Sequence, residues 1–203
     1  MAIISNATTI LDAGAFSASL GSMVLIKTLT ASSSGTLSFV HGSASVVFNN
    51  TYPLYLFKFF NIHTSATANF SFNASIDTGS NYNVVKTSTV FTAGHKEDGS
   101  STYVGYDPNQ DEAQATDFQN LSYGITTGND ESFSGELFIF NPSSTTFVKH
   151  FIATTQYYDS NFSQNGHTSG YFNNTNDIDA IQFKMSTGNI DSGTIKLYGI
   201  KDS

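Results

Sequence analysis

Runs of Val, Ile, Thr, Phe and Tyr recur along this chain about every ten residues, each closed by a cluster of Gly, Asn, Asp or Ser. That rhythm leaves no room for a long helix and matches the strand spacing of sandwiches and jelly rolls. The clearest run is 68–75, where Ala68, Phe70, Phe72 and Ala74 alternate with Asn69, Ser71, Asn73 and Ser75. A period of two is what a half-buried strand requires, with one face on the core and the other toward water. The run 54–60 differs, because only Lys58 interrupts its apolar residues. Such a strand is expected to be covered on both faces, in the middle of the domain or at a subunit contact. Further strands are expected at 23–30, 36–40, 45–48, 84–91, 102–106, 121–125, 136–140, 146–153, 181–185 and 194–200.

The expected fold is therefore all-β, an antiparallel β-sandwich of jelly-roll type, with 22–203 as one domain. A chain of 203 residues buries roughly 70 % of its unfolded surface and needs no staple. Its 18 Phe and 10 Tyr supply the core. Residues 1–21 stand apart: they are nearly uncharged, rich in Ala, Ser and Thr, and carry isolated Ile3, Ile4, Ile10, Leu11 and Phe16. They read either as an N-terminal arm lying along a neighbouring subunit or as an edge strand with a loop. Two polar stretches, 94–120 and 159–179, read as long loops and hence as places to look for contacts.

Cysteine is absent, which removes disulfides, thiolate nucleophiles and Cys-based metal sites together. No Lys or Arg precedes Lys27, and Ser5, Asn6, Asp12 and Gly14 break the apolar stretches. Neither a signal peptide nor a membrane span is expected, and synthesis in a cytoplasm is the default. The chain has 16 acidic and 8 basic residues, every base a lysine. Eight scattered lysines do not make a nucleic-acid surface.

Catalytic patterns fare poorly. No G-x-S-x-G elbow occurs, and His41, His63 and His150 lie in or beside expected strands, where satisfied structural histidines are the rule. A glycosidase needs two carboxylates facing across a sugar. Glu136 alone sits on an expected strand, in a position that reads as solvent-facing. No catalytic residue and no cofactor is assigned. Asp107, Asn109 and Asp111 repeat the first three ligand positions of a calcium loop, but Glu112 stands where Gly is needed and Phe118 where a bidentate Glu is needed. Turn formation is the commoner use of such residues, and the same holds for Asn176, Asp177 and Asp179. Exposed aromatics can stack on sugar rings, which makes Tyr103, Tyr106, Tyr157, Tyr158 and Tyr171 candidate glycan or partner contacts.

Three blocks carry a resemblance. IQFKMSTGNIDSGTIKLYGI at 181–200 resembles the closing hairpin of a group of virion proteins from phages of marine and freshwater bacteria. FKFFNIHTSATANFSFNAS at 57–75 and SGELFIFNPSSTTFVKHF at 134–151 are similar to other blocks of those proteins. The resemblance implies a β-sandwich built into the outside of a particle, as a capsid decoration or cement protein or as part of a tail or fibre. It implies no catalytic or binding residue.

Hairpin chemistry fits that expectation: Gly128, Gly188 and Gly193 punctuate strands, and Asn141-Pro142-Ser143-Ser144 is a turn sequence. Lys58, Lys149, Lys184 and Lys196 interrupt apolar strands in the manner that discourages edge-to-edge association. The expected function is a non-enzymatic surface protein of a phage virion, made in the host cytoplasm. It would self-assemble as a homotrimer and attach to the major capsid protein or to tail proteins. The alternative is a lectin-like module that reads a host surface glycan. Neither reading involves nucleic acid or a membrane.

Overall fold

The computed structural model describes residues 23–201 in full, together with the backbone of three short strands that precede them: β1 (Ile3–Ser5), β2 (Thr8–Asp12) and β3 (Ala15–Phe16). These three pair only with one another, in the order β1-β2-β3. The reading of 1–21 as an arm otherwise lies outside the described residues. Among the described residues there is no helix, and every strand pairing is antiparallel.

Eight strands build the sandwich: β4 (Met23–Thr30), β5 (Thr36–Val40), β6 (Leu54–Thr64), β7 (Phe70–Ser75), β11 (Gln119–Asn120), β12 (Phe133–Phe140), β15 (Ala180–Met185) and β16 (Ile190–Ile200). The first pairs with the eighth, the second with the seventh, the third with the sixth and the fourth with the fifth. This nested pairing folds the chain over itself as a jelly roll, with β4-β16-β6-β12 in one sheet and β5-β15-β7-β11 in the other.

Two insertions widen the first sheet into a nine-stranded one. The β7–β11 connection supplies β8 (Lys86–Lys96), β9 (Thr102–Tyr106) and β10 (Ala113–Ala115). The β12–β15 connection supplies β13 (Lys149–Asp159) and β14 (Phe162–Phe172). The order continues β12-β13-β14-β8, with β9 and β10 both on the far edge of β8, so that β13, β14, β8, β9 and β10 form a wing beyond β12.

The core lies between the sheets because alternate residues of each strand turn inward. Tyr55, Phe57, Phe59, Phe133, Leu137, Ile195 and Leu197 from the large sheet meet Phe39, Phe70, Phe72, Ile181 and Phe183 from the small one. Phe183 sits at the centre, with ring centroids of Phe57 and Phe59 each 5.2 Å away. A buried Phe contributes about 1.5–3 kcal/mol through area removed from water, so this aromatic cluster dominates the stability of the fold.

Four expectations are corrected. The polar face of β7 does not meet water: Ser71, Asn73 and Ser75 are buried beneath loops. Asn73 Nδ2 donates to the carbonyls of Tyr82, Thr116 and Asp117, which lets a polar strand face be covered without loss. The stretch 159–179 is mostly β14, and 94–120 contains the end of β8 with β9 and β10, so neither is a long loop. Conversely, 45–48 and 121–125 are not strands; Val46, Phe48, Leu121 and Ile125 are buried plugs on irregular backbone. Lys149 does not guard an edge either. It is fully buried on the inner face of β13, where its ammonium donates to the carbonyls of Asn174 and Asn176.

Candidate functional site

The outward face of the nine-stranded sheet is apolar over its central strands. Leu25, Tyr198, Leu56, Phe138 and Ile152 are successive cross-strand partners on β4, β16, β6, β12 and β13. Met23, Ile200, Leu54 and Phe140 form the next row on the first four of these strands. Their sequence neighbours Phe57, Leu137, Ala153 and Leu197 fill the core, so strand alternation turns both rows outward. Four interstrand gaps give the longer row a span of roughly 19 Å.

Neighbours in the rows shelter one another unevenly. Leu56 is buried, whereas Met23, Leu25 and Ile152 remain 49 %, 51 % and 43 % exposed. At one end Phe140, Val148, Pro53 and the 72 % exposed Phe147 line a concavity beside His150. Isolated surface apolar residues are ordinary, whereas contiguous exposed apolar bands are the kind of surface that partners or ligands use. The next row is charged and polar: Lys196, Lys58, Glu136, Thr154 and His167, with Lys58 and Glu136 paired at 3.5 Å. Glu136 is thus half of an exposed ion pair, worth at most about 1 kcal/mol.

The five candidate tyrosines do not converge. Tyr157 is only 3 % exposed, stacks near Phe133 and accepts a hydrogen bond from the Tyr123 N–H, so it belongs to the core rather than to a contact. Burial pushes its hydroxyl up to about 12. Tyr103 lies over Gly94 on the inner side of the wing and donates to Gln164. Tyr106 stands edge-on to Phe91 on the outer side, with ring centroids 5.5 Å apart, and donates to Asp111. Tyr158 and Tyr171 pair with Ser163 and His150 respectively, about 27 Å apart along β14 at 3.4 Å per residue. Of the five, Tyr106 with Phe91 makes an exposed aromatic corner.

The suspected calcium loop does other work. Asp107 Oδ1 accepts the Asn109 N–H in a local turn, and Asp111 takes the Tyr106 hydroxyl. Among the described residues no three His, Asp or Glu side chains are grouped to hold a metal. Around 173–178 the cation that meets the loop oxygens is the Lys149 ammonium.

The densest polar cluster was not foreseen. His63 Nε2 donates to the Gly128 carbonyl at 3.2 Å, and Nδ1 lies 3.5 Å from the Asp191 carboxylate. Glu131 accepts from the Thr126 hydroxyl and from the N–H groups of Gly128 and Ser160. Burial pushes the Glu131 carboxyl up, but those bonds and nearby His63 outweigh it and leave the pKa below the ordinary range. A carboxylate so filled ties the 126–131 loop to 160 and offers no proton to a substrate. His41 Nδ1 likewise accepts the Phe48 N–H, holding the loop that carries the Phe48 plug.

Comparison of this chain with protein-family models, with curated proteins and with solved structures gave no match.

Proposed function

We infer that this protein is a non-enzymatic structural component of a bacteriophage particle surface, attached to capsid or tail proteins through the outward face of its nine-stranded sheet. The observation that carries this reading is the double apolar row from Leu25 to Ile152 and from Met23 to Phe140. Jelly rolls serve widely in viral capsids, and the three sequence blocks at 57–75, 134–151 and 181–200 resemble phage virion proteins. Copies seated side by side would close with symmetry, with a homotrimer as the proposed unit on the particle.

The test is attachment to particles that lack the protein. Leu25→Lys with Ile152→Lys changes two half-exposed positions, so the fold is expected to persist. Attachment is expected to fall by at least about tenfold, because each lysine would be buried at the contact without a partner. Full attachment by the folded double variant sinks this reading.

A second reading, a module for a host surface glycan, is favoured by one feature. Phe91 and Tyr106, 52 % and 47 % exposed, form a perpendicular aromatic corner beside Asp111. A ring face and an adjacent carboxylate are what a pyranose needs for stacking and for hydroxyl recognition. Phe91→Ala with Tyr106→Ala is expected to abolish retention on host polysaccharide while leaving particle attachment intact. Unchanged retention removes this reading.

A further inference from the structure

We propose that β9 is a self-pairing edge, through which the nine-stranded sheets of two copies join antiparallel about a two-fold axis at Val104. The contact is separate from the apolar rows and does not depend on their role in attachment.

β9 pairs with β8 on one side and with no described strand on the other. The Lys96 N–H donates to the Ser101 carbonyl and the Asp107 N–H donates to the Val90 carbonyl, both at 2.9 Å. Bonded pairs recur at every second residue of an antiparallel ladder, so Tyr103 and Gly105 also direct their backbone groups to β8. Thr102, Val104 and Tyr106 turn theirs away from it. Among the described residues, no other strand or loop backbone bonds to these outward groups.

An open edge of this kind is normally blunted. β4, the opposite edge of the same sheet, carries Lys27 and a register shift where β16 passes from Leu197 to Tyr198, and both devices discourage pairing. β9 reads TYVGY, with no charge, no proline and an unbroken register to β8. All five residues are exposed. Val104, at 82 %, is the most exposed large apolar side chain among the described residues.

The occupant that fits this edge is a second β9. Outward groups at 102, 104 and 106 are symmetric about the middle residue, so an antiparallel copy sets Val104 against Val104 and Thr102 against Tyr106 at both ends. Each of these pairs exchanges two hydrogen bonds. A shift by two residues sets Tyr106 against the bend at Ser100, or Thr102 against Pro108, which has no N–H. The side chains agree with the symmetric register: a β-branched residue meets itself and an aromatic one covers a threonine. Gly105, with nothing within 4 Å of an added Cβ, leaves room beside the partner's Tyr103. Asp107 comes opposite neutral Ser101, so no like charges face each other along the ladder although the chain carries a formal net charge of −8.

Five residues a side fall short of the roughly 800 Å² per partner of a standard interface. The contact is therefore weak between free copies and strengthens where copies are held close, at effective concentrations in the millimolar range. Being two-fold, it would join one trimer of the kind proposed above to the next rather than build the trimer.

The experiment is sedimentation equilibrium of the full-length protein up to about 1 mM. A concentration-dependent doubling of mass is expected. Val104→Lys, which sets two like charges against each other at the axis, is expected to abolish the doubling without lowering the melting temperature. Val104→Pro removes an outward N–H that β8 does not use, so it should have the same effect on a folded protein. The absence of native cysteine then allows single thiols to report the register. Val104→Cys places two Cα atoms about 5.5 Å apart in a bonded pair, within disulfide reach, whereas the two positions of Thr102→Cys lie about 14 Å apart along the strands. Mild oxidation is expected to link Val104→Cys at least about tenfold faster than Thr102→Cys. No doubling at the highest concentration overturns the proposal. So does a doubling that survives both Val104 variants, since another surface would then make the contact, and so do equal rates of linking at the two thiols.

Discussion

Lys86 and Lys149 flank Phe172 in one cross-strand row, Lys149 on β13 and Lys86 on β8, with the β14 phenylalanine between them. Both lysines are fully buried, and each ammonium donates to backbone carbonyls of a polar loop: Lys86 to Asp117, Lys149 to Asn174 and Asn176. The sandwich thus uses two internal cations to pin the loops that close the end of the wing. Replacing either lysine by Met keeps the volume and strands the carbonyls, at about 1–3 kcal/mol for each buried group left unmade. Lys149→Met is expected to cost more than Lys86→Met, since it frees two carbonyls. Thermal melts should show a fall of roughly 2–4 °C per kcal/mol for a domain of this size.

The same lysine sets an alkaline response. Burial lowers the Lys86 pKa from 10.5 to about 8, against the opposing pull of Glu112 and Asp117. Between those values the unfolded chain holds a proton that the folded one has lost, so stability rises with pH across this window. At about 1.4 kcal/mol per pH unit, the difference of 10.5 − 8 sets an upper bound of roughly 3.5 kcal/mol. Tyr157 acts in the opposite sense. Its pKa rises from 10 to about 12, so above pH 10 the folded chain holds the extra proton and stability falls. Urea unfolding is expected to show stability climbing from pH 8 to near pH 10 and then flattening. Lys86→Met should reduce the climb, leaving the smaller part that Lys149, likewise lowered by burial, contributes, and should leave the fall.

Phe183 tests the aromatic core. Its ring contacts those of Phe39, Phe57, Phe59, Phe70 and Phe72, so it bridges both sheets. Phe183→Ala is expected to cost about 3–5 kcal/mol, since five facing rings cannot all move in to fill the space. Phe183→Leu keeps most of the volume and should cost less than half as much. Equal losses in chemical denaturation would mean that the site relaxes freely.

How far the sequence was legible follows from what faces inward. The expected 23–30, 36–40 and 102–106 coincide with β4, β5 and β9, because their composition or alternation carries the strand signal directly. β14 was hidden, because Gly166, Thr168 and Gly170 occupy inward positions where a strand usually shows large apolar residues. Gly170 leaves room for the Phe151 ring, whose Cζ would lie 2.7 Å from an added Cβ. Val46 and Phe48 misled in the opposite direction: they are apolar because they plug the core, on backbone that Ala44 and Ser45 turn to positive φ. The outward apolar face of the large sheet could not be read at all. Its rows run across strands drawn from residues 23 to 200, so no single stretch displays them, and only the nearly continuous apolar character of 54–60, interrupted by Lys58 alone, hinted that one strand had two apolar faces.

Gly193 offers the sharpest test of the jelly-roll closure. It lies at an irregularity in the pairing of β16 with β6, where register shifts between Ser192 and Thr194, and its φ is 116°. An added Cβ would come within 2.6 Å of the Asn61 carbonyl oxygen and 2.7 Å of the Ile62 Cα, both backbone atoms with little freedom to move. The left-handed conformation adds a penalty of its own for any side chain. Gly193→Ala is therefore expected to cost about 2–4 kcal/mol, the range for strain combined with overpacking. Gly105, where nothing lies within 4 Å of the added atom and φ is ordinary, is the matched control. Gly105→Ala should leave the denaturation midpoint almost unchanged. A Gly193→Ala protein as stable as the control would show that β16 can pair with β6 without the bulge, and that the last strand is not locked in the register described.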